Sequence, residues 1–506
     1  MRAVPGPVTR WLALTVLILA ALLVTVDATV IGLAAPFLSE DLKPSSTQLL
    51  WIGDVYSFVI AGLLVSMGSL GDRIGRKKLL LTGAIAFGVV SVLNAYATGP
   101  EMLMAARALL GVAGATLMPS TLALIRNIFH DPKQRSLAIG IWGAAASAGT
   151  ALGPVIGGFL LEDFWWGSVF LINVPVVVVL VTAGIKLLPE SRDPHPGPWD
   201  LFSVALSLVG MVAVIYAVKE VTVHGLRWDI ATAAVVGIVT LFWFARRQLT
   251  LTSPLLDMRL FHHRGFSGAV LADLLTILGL SGLVFFLSQF LQLVQQRPPL
   301  EAGLFELPAA IGAVLTGLAA GVIARKTSVR GAVSGGLAAV GLALGACTMV
   351  DEGTGAAYLA PALFLAGLGS GLSFTVTADV VLSSVPKDQA GAASGVAETA
   401  YELGAALGIA LLGSIVTGIY RTFTTPPDIP ASIDHAAHDS LGGAVAAATS
   451  LPRDQAAPML AAARDAFTHG FQTAAGVSAA VFLAAAITMW YMLRDQKLED
   501  STPGHP

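Results

Sequence analysis

The residues with most chemistry to offer are acidic side chains set in long apolar runs. Asp27, Asp54, Asp273, Glu306, Asp379, Glu398 and Glu402 interrupt such runs, and Arg107 is the clear cation among them. A charge in mid-bilayer costs at least a few kcal/mol, so an intramembrane carboxylate is taken to be functional and to face a cavity. Depth ranks the candidates. Asp27 lies about 13 Å from the end of its predicted helix at about 1.5 Å per residue. Glu398 and Glu402 also lie deep. Glu306, Asp379 and Asp273 sit nearer helix ends, where snorkelling or capping explains them cheaply, and Asp54 is promoted by the aromatic residues around it, Trp51-Ile-Gly-Asp54-Val-Tyr56-Ser-Phe58. Glu398 and Glu402 are four residues apart and share one face of a helix. Two carboxylates that close in a poorly hydrated site do not both ionise readily and titrate as a unit. Such a pair suits a proton carrier and, once deprotonated, a site for a lipophilic cation. Arg107 reads as the partner of a buried carboxylate or as a coupling residue. Trp51, Tyr56 and Tyr401 stand beside acidic residues and could stack on planar cations.

The elements that must position these groups are membrane helices. The 506 residues are 55% hydrophobic and 12% charged, with mean hydropathy +0.77, where soluble proteins carry about 25% charge. A spanning helix needs about 20 apolar residues. The runs predict fourteen such helices near 11–36, 48–70, 79–98, 101–125, 136–160, 167–188, 200–219, 229–246, 266–292, 303–323, 331–350, 357–383, 393–418 and 470–493. Alternate connecting segments carry about three times the Lys and Arg of the others, which expects both termini in the cytoplasm. The first run is too long for a signal peptide and lacks a small-residue cleavage site, so it reads as a retained helix. The Pro-rich link 189–199 and the basic link 247–265 bracket the seventh and eighth helices. The expected organisation is therefore a six-helix bundle over 1–190, two linker helices over 191–260 and a second six-helix bundle over 261–506. The long outer loop, 419–469, suggests one or two short helices over the outer mouth, with disorder as the competing reading.

Other classes are disfavoured. Cys347 is the single cysteine, so no internal disulfide forms. The histidines form no ligand-spaced cluster, so no metal is expected. No Walker lysine motif is present, so ATP is not the energy source. Net charge is -3, and no basic patch large enough for nucleic acid stands apart from the membrane-flanking turns. No nucleophile elbow or paired Asp-rich motif argues for an enzyme.

The turn Gly68-Ser-Leu-Gly71-Asp72-Arg73-Ile-Gly75-Arg76-Lys77-Lys78-Leu79 joins two apolar runs. It resembles the G-x-L-a-D-R-x-G-R-K signature of the major facilitator superfamily. Arg107-Ala-Leu-Leu-Gly111-Val-Ala-Gly114-Ala115 is similar to the family's fourth-helix motif. Gly149-Thr-Ala-Leu-Gly153-Pro154-Val-Ile-Gly157-Gly158 resembles its fifth-helix antiporter motif. Val26-Asp27-Ala-Thr29-Val30-Ile-Gly32-Leu-Ala34-Ala-Pro36 resembles the first-helix motif of fourteen-span drug/proton antiporters, departing at Gly32 (usually Asn) and Ala35 (usually Leu). In the fifth run, Gly149, Gly153 and Gly157 form a groove admitting another backbone, and Pro154 bends the axis. Gly317 and Gly321 offer a matching strip.

The resemblance implies an all-α major facilitator fold in the bacterial cytoplasmic membrane, with the fifth helix at the interface between halves. It implies a monomeric antiporter, driven by the proton gradient without cofactor, that exports lipophilic cationic drugs, dyes and quaternary ammonium compounds by alternating access. Its partners are protons, small cations and the lipid bilayer. The alternative is a narrow-specificity exporter of a metabolite or self-made antibiotic. The resemblance also implies a conformational latch of Gly68, Asp72, Arg73, Gly75 and Arg76, in which Asp72 meets the start of the thirteenth helix near Ala390–Ala393. Arg107 is implied in proton coupling through Asp27.

Overall fold

The computed structural model describes residues 6–194, 199–225, 227–425, 429–494 and residue 496. Among them the chain forms α-helices and short connections: Pro7–Leu42 (α1), Ser46–Ile74 (α2), Arg76–Ala95 (α3), Pro100–Ile128 (α4), Pro132–Asp163 (α5), Ser168–Leu171 (α6), Asn173–Leu187 (α7), Leu201–His224 (α8) and Trp228–Thr250 (α9). There follow Arg264–Gln289 (α10), Pro299–Lys326 (α11), Val329–Cys347 (α12), Ala356–Ser383 (α13), Ala390–Tyr420 (α14), Ala431–Asp439 (α15), Leu441–Ala448 (α16) and Arg453–Met492 (α17). Among the described residues, fourteen spans are long and apolar enough to cross a membrane, α6 and α7 together making one. Helices are the solution because the bilayer offers backbone groups no water, so each segment must satisfy its own.

Local chemistry sets the boundaries. Proline occupies the first turn of α1, α4, α5 and α11, where its missing N–H costs nothing. Ser45 and Gln48 form a reciprocal capping box at the start of α2. Gly75 turns the chain from α2 into α3 at φ +113°, a conformation glycine adopts freely. Glu190, beyond α7, then accepts the N–H groups of Lys77 and Lys78 at 3.1 and 3.2 Å and caps α3 from a distance.

Helices α1–α7 pack round one set of apolar cores, and α10–α14 with α17 round another. Helices α8 and α9 pack on each other, and α8 lies against both α2 and α14. Arg247 donates to the Asp200 carboxylate at 2.7 Å and Gln248 to Ser203 at 2.7 Å, pinning this pair at one end. Residues 195–198 of the Pro-rich link lie outside the described residues.

The region 419–469 holds two short helices, as expected, but its last part belongs to the final span. Helix α14 runs to Tyr420 and α17 begins at Arg453, seventeen residues before the predicted start at 470. The apolar count missed this extension because Arg453, Asp454, Arg464 and Asp465 interrupt it. Its buried Met459, Ala463 and Phe467 recur at helical spacing on one face. Two short helices, α15 and α16, precede it. They pack on the end of the second bundle: Tyr420 donates to Ala437 O at 2.7 Å, and Phe423 stacks on His438 at 4.5 Å. Residues 426–428, with Pro426 and Pro427, lie outside the described residues.

Candidate functional site

A cavity of about 270 Å³ lies between the two bundles. Helix α14 brings Glu398, Tyr401 and Glu402 into its wall together, as their spacing requires. From α5 comes Trp142, stacked on Phe374 of α13 at 6.4 Å, and Phe374 meets Tyr401 edge-on at 6.2 Å. The first bundle supplies Thr25, Thr29, Tyr56 and Met118. The wall is mainly apolar and aromatic, with two carboxyl groups. None of the described residues of α15 or α16 lines it.

Asp27 does not face this chamber. Its neighbours Thr25, Ala28 and Thr29 do, and Asp27 points the other way, into the first bundle. It is fully buried. Its Oδ2 accepts from Arg107 of α4 at 2.8 Å, and its Oδ1 accepts from Asn173 of α7 at 2.8 Å. Arg107 also donates to Ile52 O at 3.2 Å and lies 4.5 Å over the Tyr56 ring. Asn173 donates in addition to Ser91. The expectation of a cavity-facing Asp27 is thus corrected to a buried ion pair with both oxygens satisfied. A buried charge is tolerated when it is paired and its remaining lone pairs are hydrogen-bonded; Arg107 was the partner expected, and Asn173 is added by the structure.

Asp54 and Trp51 also leave the cavity. Asp54 forms an ion pair with Lys219 of α8. Trp51 stacks on Tyr216 of the same helix, 5.9 Å between centroids and 15° between planes. The inserted pair therefore claims the face of α2 that the aromatic context had assigned to the chamber. Asp273 is buried on α10, with Oδ1 lacking a hydrogen-bond partner among the described residues. It lies within electrostatic range of Glu398 but outside the cavity wall. Its position well inside α10 makes it deeper than expected. Glu306 is half-buried on α11 and lies off the wall.

One end of the cavity is sealed. Asp72 accepts the N–H of Gly391 at 2.9 Å and that of Ala392 at 3.0 Å. Arg76 donates to Asp72 at 2.6 and 2.8 Å, to Lys387 O at 2.7 Å and to Ser191 at 2.8 Å. Gly68 and Gly391 touch backbone to backbone, and a Cβ on Gly68 would lie 2.1 Å from Gly391 O. Asp379, expected as a further proton or cation site, belongs here instead: Arg135 and Ser136 of the first bundle each donate to it at 2.7 Å. Arg73 follows Asp72 at the end of α2. It turns towards Ser69 and the carbonyls of Ser253 and Pro254 beyond α9. Among the described residues, the hydrogen bonds between the two bundles all lie at this end.

The fifth-helix glycines split their work. Gly149 and Gly153 press on Thr25 and Thr29 of α1, inside the first bundle. Gly157 is buried, a Cβ on Gly158 would meet nothing within 4 Å among the described residues, and the Pro154 side chain lies outside the described residues. The strip Gly317 and Gly321 of α11 meets Gly140 and Ser136, nearer the start of α5. The interface between bundles uses that earlier stretch, and the expected pairing of the two glycine strips is not the one formed.

Four residues carry roles that the sequence did not single out. Asn173 sits in a valine-rich run, and its amide was the signal. Lys219 was read as a helix end, and Arg135 as loop charge. Trp142 lines the chamber, and its Nε1 has no partner among the described residues.

The sequence profile of the Major Facilitator Superfamily matches residues 17–409. "Multidrug efflux pump LfrA" of Mycolicibacterium smegmatis is 46% identical over 492 residues, covering 96% of this chain and 97% of that one. "Methyl viologen resistance protein SmvA" of Salmonella typhimurium is 36% identical over 489 residues, covering 96% and 98%. The crystal structure of the human organic anion transporter MFSD10 superposes with TM-score 0.61 at 14% identity, covering 96% of this chain and 100% of that one, which bears on the fold alone. With two helical bundles and an inserted pair round a central chamber, and that profile matched over residues 17–409, the chain belongs to the Major Facilitator Superfamily of membrane transporters.

Proposed function

We propose that this transporter exports lipophilic cationic drugs, dyes and quaternary ammonium compounds from the cytoplasm in exchange for protons, by alternating access. The observation that carries the reading is the chamber itself: Glu398 and Glu402 share it with the Trp142–Phe374–Tyr401 rings, and one end is sealed. Ionised carboxylates attract a cation, and ring faces hold a planar one. A proton on the same carboxylates removes the attraction, so proton and drug compete for one site. The names of the two bacterial relatives, a multidrug efflux pump and a methyl viologen resistance protein, support the same reading.

The Lys/Arg bias of the loops assigns the Asp72 end to the cytoplasm. In this reading, a seal at the cytoplasmic end makes the conformation outward-facing. Two bundles rocking about a midplane site would then expose the carboxylates to either side. Protonation of Asp27 would release Arg107 from its pair and link the first bundle to the same proton. The membrane potential is worth about 2.3 kcal/mol per charge per 100 mV, so exchange of two or more protons for a monocation would draw on it.

The test is ethidium transport by purified protein in liposomes under an imposed pH gradient. Flux that follows the gradient and disappears in Glu398→Gln supports the reading. Flux indifferent to the gradient overturns proton coupling. Transport of a single metabolite, with no cationic dye moved, would establish the narrow-specificity alternative.

A further inference from the structure

We propose that Lys219, carried on the inserted helix α8, is the counter-ion that sets the net charge of the carboxylate pair and so the charge class of the cations accepted. The inference rests on the cation reading of the chamber and deepens it.

Helix α8 lies in the seam between the bundles, touching α2 of one and α14 of the other. Its position is firmly held. Tyr216 stacks on Trp51. Ser207 donates to Gly62 O at 3.0 Å, and Met211 and Ile215 pack with Phe58 and Ala406. These contacts place the Lys219 ammonium 5.2 Å from the centre of the Phe58 ring and in an ion pair with Asp54. Glu402 stands across the same seam, within the field of Lys219.

The charges around the pair are unbalanced. Asp273 and Glu402 act on Glu398, Asp54 is on α2, and Glu220 follows Lys219 on α8. Arg107 is bound to Asp27 inside the first bundle. Lys219 is a cation that α8 sets beside these carboxylates at the seam. It is a positioning residue: it acts on the substrate through the electrostatic field and not by contact.

Removing one positive charge makes the chamber more negative. At an effective dielectric of about 20, a unit charge about 10 Å away changes the binding of another unit charge on the order of tenfold. A dication feels that change twice over. Its affinity relative to a monocation should therefore rise by about the same factor.

The experiment is equilibrium binding of ethidium (a monocation) and methyl viologen (a dication) to the purified full-length protein at one pH and ionic strength. Lys219→Met should raise the dication-to-monocation affinity ratio on the order of tenfold, and Lys219→Arg should keep the wild-type ratio. Should Lys219→Met fail to fold, Lys219→Gln, which keeps a donor for Asp54, carries the same test. A ratio unchanged in the neutral variants, with wild type binding both dyes, overturns the role of Lys219 and leaves the cation reading standing. Wild-type protein that binds neither dye overturns both. A purely structural role for Lys219 would lower both affinities together.

Discussion

The carboxylate of Asp72 on α2 caps the first turn of α14, taking the N–H of Gly391 at 2.9 Å across the boundary between bundles. The first N–H groups of a helix have no partner within it, and the positive end of the dipole lies there. The helix capped in this way carries Glu398 and Glu402. A charge-assisted bond of this kind is worth about 1.5–3 kcal/mol. Asp72→Asn should slow turnover about tenfold or more, as a loss of that size implies, while drug affinity stays near wild type. A loss of affinity with normal turnover would contradict the latch.

The proposal that Glu398 and Glu402 exchange a proton for a cation has a direct readout. Adding drug to weakly buffered, purified protein should release protons into solution. Glu398→Gln and Glu402→Gln should each reduce that release sharply, because the pair shares its titration. Undiminished release from both variants would remove the pair from coupling.

Asp27 and Arg107 are best tested through stability. Breaking a buried ion pair by removing one partner costs about 3–5 kcal/mol, because the other charge is left uncompensated. Asp27→Asn keeps the hydrogen-bonding shape and should lie at the low end, with Arg107→Ala at the high end. Thermal unfolding in detergent should show Asp27→Asn combined with Arg107→Gln more stable than the sum of the single losses. Simple additivity would mean that the pair contributes no coupling.

Gly68→Ala addresses the close approach at the seal. Its Cβ would meet Gly391 O at 2.1 Å, a contact that backbone atoms cannot relieve without separating. The Asp72 end should then remain ajar. In a Cys347→Ala background, a cysteine at Ser394, which is buried in the sealed state, should react faster with maleimide when Gly68 is replaced.

Outside the membrane, Asp200 caps α8 and is held down to about 2, chiefly by the hydrogen bond from Arg247. A carboxyl lowered in the folded state stabilises above its unfolded value, near 3.9, and loses that contribution as pH falls through about 2. The α8–α9 clamp should therefore survive at pH 5 and weaken only in strong acid. Asp200→Ala should cost about 1 kcal/mol at neutral pH, read as a modest drop in Tm, with the difference from wild type shrinking below about pH 3.

The sequence alone determined the fourteen spans, the family turn and the shared face of Glu398 and Glu402. Each rests on a hard constraint: a bilayer needs about 20 apolar residues per crossing, exposed charge must leave the membrane, and residues four apart share a helix face. Only the tertiary structure decided which way the other groups point. A membrane helix is apolar towards lipid and towards its neighbours alike, so no polar face marks its rotation. That is why Asp27 could be placed deep in α1 but not turned away from Thr25 and Thr29. Asp379 likewise became a seal residue once Arg135 arrived from the other bundle. The same ambiguity hid Lys219: at the end of an apolar run it reads as a boundary, and only the packing of α8 between α2 and α14 sets it beside Asp54 and within the field of Glu402.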